Sequence, residues 1–101
     1  MPFLIVTLLA VLEMPVAVAV SEEGTVYWAE SGSNRVCRIS PGKDLEVLMK
    51  GPRRRSAAIK LTEDPNKPVL GRPSDLLLKP DGTLLVADPV SHRVWKLSNL
   101  K

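Results

Sequence analysis

One cysteine, one histidine and four aromatic side chains in 101 residues leave this sequence little from which to assemble a reaction centre. Cys37 alone excludes an internal disulfide and any cysteine-based metal cluster. His92 has no second histidine, cysteine or carboxylate pair beside it in the chain, so the ligand set of a zinc site is missing. Paired catalytic carboxylates, a Ser/His/Asp set, a phosphate-cradling glycine loop and a CxxC pattern are likewise absent. Long apolar runs are scarce too. Phe3–Leu12 is interrupted by Thr7 and closed by Glu13 and Pro15, short of the ~20 residues that a spanning helix needs. Enzyme, disulfide scaffold and membrane anchor are therefore the disfavoured classes, and no metal or other cofactor is expected.

What the sequence does contain is one passage written twice. Residues 15–40 and 73–98 align without a gap at an offset of 58. Pro15 matches Pro73, Gly24 matches Gly82, Thr25 matches Thr83, Ala29 matches Ala87, Arg35 matches Arg93 and Val36 matches Val94. Glu30 and Asp88 keep a carboxylate at one place. Such units cannot bury their own faces and must stack on neighbours.

Each copy reads as three short strands. The expected spans are 15–20, 25–29 and 35–39 in the first copy, and 73–78, 83–87 and 93–97 in the second, with Leu45–Met49 as a fourth strand after the first. Pro80-Asp81-Gly82 is a turn signal, since proline presets its own φ and glycine accepts positive φ. Alternation puts Val36 and Arg38 on one face and Cys37 and Ile39 on the other, so apolar side chains occupy both faces, as in a sheet held between other sheets. The carboxylate and arginine of each copy, Glu30/Arg35 and Asp88/Arg93, flank one tight connection. A charge-assisted hydrogen bond there would pin the hairpin, a structural role. Cys37 aligns with Trp95 and reads as a buried, inert thiol, and His92 as a turn residue in the place of Asn34.

The pattern Asp81-Gly82-Thr83-Leu84-Leu85-Val86-Ala87-Asp88 followed by Ser91-His92-Arg93-Val94 resembles an NHL repeat, the unit of NHL β-propellers. Val26-Tyr27-Trp28-Ala29-Glu30 also resembles the YWTD repeats of lipoprotein-receptor propellers. Either resemblance implies an all-β chain of antiparallel four-stranded blades from a six-bladed, TolB-like propeller. Propellers close with four to eight blades, and this chain has room for about two. The expectation is a piece of a larger propeller, a truncated product, or a chain completed by association through open blade edges. Lactonases and strictosidine-synthase-like hydrolases share the propeller, and a fragment of one is the least favoured alternative. At the starts of the innermost strands, Pro15-Val16-Ala17 and Pro73-Ser74-Asp75, Val16 cannot bind a metal and Asp75 stands one position away from where the resemblance would put the ligand.

The organisation is thus an apolar segment over 1–14, a first repeat over 15–50, a basic connection over 51–72 and a shorter second repeat over 73–101. Phe3–Leu12 followed by Pro15 and Ala17-Val18-Ala19 has the order of a secretory signal, although no Lys or Arg precedes it. Alternatively, Leu4–Leu9 is an outer strand. Residues 3–20 as strands imply a cytoplasmic protein, and as a signal a secreted one. Residues 43–72 hold eight basic and four acidic side chains, so the basic character of the chain lies there. Arg53, Arg54 and Arg55 are the candidate contacts for an anion or a nucleic acid. No aromatic residue interrupts the segment, so the stacking platform for single-stranded RNA is missing. The resulting expectation is a non-catalytic interaction or scaffolding module whose partner is a protein, ahead of RNA, with a membrane last.

Overall fold

The computed structural model describes residues 14–51 and 70–100. The apolar N-terminal run, the strand expected over Leu4–Leu9, most of the basic connection and the Arg53–Arg55 triplet lie outside them. The described chain is all-β and contains no helix. Seven strands run in order: β1 (Pro15–Val20), β2 (Val26–Glu30), β3 (Arg35–Ile39), β4 (Glu46–Lys50), β5 (Asp75–Leu78), β6 (Leu84–Asp88) and β7 (Arg93–Leu97). They form a four-stranded antiparallel sheet, β1-β2-β3-β4, and a three-stranded one, β5-β6-β7.

The 58-residue offset holds down to the pairing register. Val18 pairs with Trp28 and Trp28 with Cys37; Leu76 pairs with Val86 and Val86 with Trp95. Glu30 lies opposite Arg35 as Asp88 lies opposite Arg93. Strands β2 and β6 begin and end one residue later than alternation suggested, taking in the carboxylate, and β5 starts at Asp75 rather than 73.

The turns repeat as well, through different atoms. Gly24 (φ 91°) and Gly82 (φ 89°) supply the left-handed residue that lets the strand double back. Ser21 N–H donates to the Thr25 carbonyl at 2.9 Å, and Lys79 N–H to the Thr83 carbonyl at 2.8 Å. The next N–H is capped by whatever acceptor is at hand: Thr25 N–H donates to Ser21 Oγ, and Thr83 N–H to the Asp81 carboxylate. In the second tight connection Asn34 (φ 54°) and His92 (φ 58°) take the left-handed conformation, which both types tolerate better than most.

The core lies between the two sheets. Cross-strand neighbours Ala17, Ala19, Tyr27, Ala29, Val36 and Met49 cover one face of the first sheet. Leu76, Leu78, Leu84, Val86, Trp95 and Leu97 cover one face of the second, and the two sets join one hydrophobic cluster. Leu70 is fully buried in it. Asn34 fixes that leucine: its side-chain amide donates to the Leu70 carbonyl at 3.0 Å, and its own carbonyl accepts from Gly51 N–H at 2.9 Å. A Cβ at Gly51 would stand 1.8 Å from the Leu70 carbonyl oxygen, so no side chain fits there.

Candidate functional site

The polar groups that the repeat singled out gather at the end of β2 and β6, inside the protein rather than on its surface. Glu30 has no exposed surface. Its carboxylate accepts from the Trp28 indole N–H at 2.7 Å, Ser33 Oγ at 2.9 Å and Arg35 Nε at 3.0 Å. The expected carboxylate–arginine pair is therefore present in the first copy, where it is one bond of several. A buried carboxylate needs this many donors to offset the water it has lost.

Asp88 solves the same problem with a shorter arm. It accepts from the Trp95 indole N–H at 2.9 Å, from Ser91 N–H at 3.3 Å, and from the backbone N–H groups of Gly71 and Arg72, both at 2.8 Å. The carboxylate thereby ties the chain entering the second sheet to the end of β6. Burial works to raise its proton affinity, but the bonds from Ser91, Trp95, Arg72 and Gly71 outweigh it and hold Asp88 below the ordinary Asp range. A Cβ on Gly71 would come within 2.8 Å of Asp88 Oδ1, which is why the residue there is glycine. The Arg93 guanidinium lies over the Trp95 ring, 5.6 Å from its centroid.

The two tryptophans come from different strands yet do one job. Trp28 is on β2 opposite Cys37 on β3, whereas Val86 on β6 is opposite Trp95 on β7. Large and small residues have changed places across one cross-strand pair, and in both copies the indole donates to the carboxylate. Neither the exchange nor the backbone clasp on Gly71 and Arg72 was anticipated from sequence. The signal was available in the pairing register, where the Trp28/Cys37 and Val86/Trp95 mismatches cancel.

The remaining expected residues are placed as follows. Pro73 is fully buried and Pro15 exposed, each entering the first strand of its copy. Cys37 is buried, and burial pushes its thiol up to about 11, so it stays protonated and unreactive near neutral pH. His92 is exposed at its turn. Asp75 is exposed, its Oδ1 accepting from Leu76 N–H at 2.9 Å. Among the described residues no three His, Cys, Asp or Glu side chains come together as a metal could require, and no helix is long and apolar enough to cross a membrane. Nothing among them points to catalysis.

Part of the surface is apolar sheet. Val18 and Val20 of β1 are 66% and 60% exposed, and Leu77 of β5 and Val94 of β7 are 60% and 68% exposed. No protein-family model matches the chain, and a search of curated proteins returns no match.

Proposed function

We propose that this chain is about two blades of an NHL-type β-propeller and serves as a non-catalytic protein-interaction or scaffolding module. One observation carries the reading: the conspicuous buried carboxylates are spent on holding the sheets together, while valine and leucine side chains stand in solvent on both outward sheet faces. Exposed apolar patches on a folded chain mark surfaces that bind other macromolecules through burial. The Asp81-Gly82-Thr83 and Ser91-His92-Arg93-Val94 motifs, matched in the first copy by Glu23-Gly24-Thr25 and Ser33-Asn34-Arg35-Val36, supply the likeness to NHL propellers.

Photo-crosslinking in cells tests this. A benzophenone amino acid in place of Val94 or Val18 is expected to give discrete protein adducts, and the same group in place of exposed Glu23 none. The competing reading, single-stranded RNA bound through Arg53, Arg54 and Arg55, is tested by fluorescence anisotropy at low and moderate salt. Binding that falls steeply with salt, through counterion release, and vanishes in the triple alanine variant would replace the protein-binding reading. Weak binding unchanged by that variant, with adducts only from positions 18 and 94, is the expected result.

A further inference from the structure

We propose that the partner of the open faces is a second copy of this chain, stacked head to tail, the outward face of β5-β6-β7 on the outward face of β1-β2-β3-β4. This rests on the reading of the chain as a protein-binding repeat and names its partner. The internal contact between the sheets is the template. It joins one face of the first copy to the opposite face of the second. Because the copies share one register, each joined face has an equivalent at the far side of the molecule, open at Leu77 and Val94 on the second sheet and along β1 at Val18 and Val20 on the first, where Trp28 and Cys37 are already buried.

The equivalents can be followed residue by residue. Ala19, Tyr27, Ala29 and Val36, which pack inside the chain, correspond to Leu77, Leu85, Ala87 and Val94 on the outer face of the second sheet. Val36 is 0% exposed and Val94 is 68% exposed, so one position is filled in the first copy and waiting in the second. On the other side, Leu76 and Leu78 pack inside the chain, and their equivalents Val18 and Val20 stand open.

Side-chain volume follows the same logic. Inside, β1 with its alanine at 19 lies against β5 with its leucines at 76 and 78. Outside, leucine at 77 would meet valines at 18 and 20. One side has grown and the other shrunk, which conserves the volume a packed interface requires. The polar rim also maps across. Arg38 Nη1 donates to the Leu100 carbonyl across the internal contact. Its equivalent, Lys96, would reach the Gly42 carbonyl of the next copy by the same path.

Such an interface is heterologous: the two surfaces differ, so every added copy presents a new pair of faces. Repetition gives a ring if the rotation closes and a filament if it does not. A ring of roughly four to eight sheets would take two to four chains.

The decisive experiment mixes two variants. Val18→Glu spoils one face and Val94→Glu the other, and both residues are exposed, so the individual chain should keep its circular-dichroism spectrum. By analytical ultracentrifugation the unaltered chain is expected to form species larger than a monomer, and each variant alone to be monomeric. An equimolar mixture should give a two-chain complex that grows no further, since each variant keeps the face the other lacks. Should either variant lose its fold, Val20→Glu with Leu77→Glu forms a second pair. A monomeric unaltered chain, assembly of either variant alone, or failure of the mixture to pair overturns the proposal. Protein adducts at positions 18 and 94 with a monomeric chain would reject self-stacking and leave the interaction reading standing.

Discussion

Replacing Asp88 by alanine is expected to remove about 3–5 kcal/mol of folding stability, since buried donors left without an acceptor cost roughly 1–3 kcal/mol each. The N–H groups of Gly71, Arg72 and Ser91 and the Trp95 indole all lose their acceptor at once. A domain this small has little more than that to lose. Asp88→Asn keeps one carbonyl oxygen and is expected to cost about half as much. The carboxylate also sets a pH dependence. Its folded pKa lies below the ordinary value of 3.8, so its contribution is complete above that value and is lost as pH falls through the folded pKa. Denaturant titrations of dilute protein at pH 7 and at stepwise lower pH check both points. The unaltered chain should lose stability below about pH 4 more steeply than Asp88→Asn. An alanine variant within about 1 kcal/mol of the original would show that the clasp is not structural.

The second large effect concerns the exchanged tryptophan. Trp28→Val alone leaves a cavity and removes a donor from Glu30, and is expected to cost about 3 kcal/mol or more. Cys37→Trp alone overfills the same space and is also destabilising. Together they reproduce the Val86/Trp95 pair of the second copy, so the double variant is expected to regain at least half of the summed loss. A double-mutant cycle measures this directly as a coupling energy. Costs that simply add would mean that the two copies do not share one interior.

The strands were legible because β-branched and aromatic runs are bounded by glycine turns, and because each copy corroborates the other. The Glu30–Arg35 pair was legible for a local reason: both residues flank one connection. What escaped was long-range. Asp88 reaches backbone groups sixteen and seventeen residues upstream, and Asn34 reaches a carbonyl thirty-six residues away. Backbone acceptors and donors carry no residue identity, so nothing in the sequence marks them as partners. Asn34 and His92 share a conformation, as expected from their common place in the turn, but only the buried asparagine holds Leu70. Position by position, Trp28 aligns with Val86 and Cys37 with Trp95, so the alignment pairs no tryptophan with a tryptophan. Pairing the strands shows that both copies share one indole–carboxylate arrangement.

The central claim is that one unit, closed by an indole–carboxylate bond, occurs twice and independently. The two indole N–H resonances in a proton–nitrogen correlation spectrum test it most directly, since Trp28 and Trp95 are the only tryptophans in the chain. Both should exchange slowly with solvent. Glu30→Gln should shift the Trp28 resonance alone, and Asp88→Asn the Trp95 resonance alone. Indoles that exchange freely, or a single substitution that moves both resonances together, would contradict it.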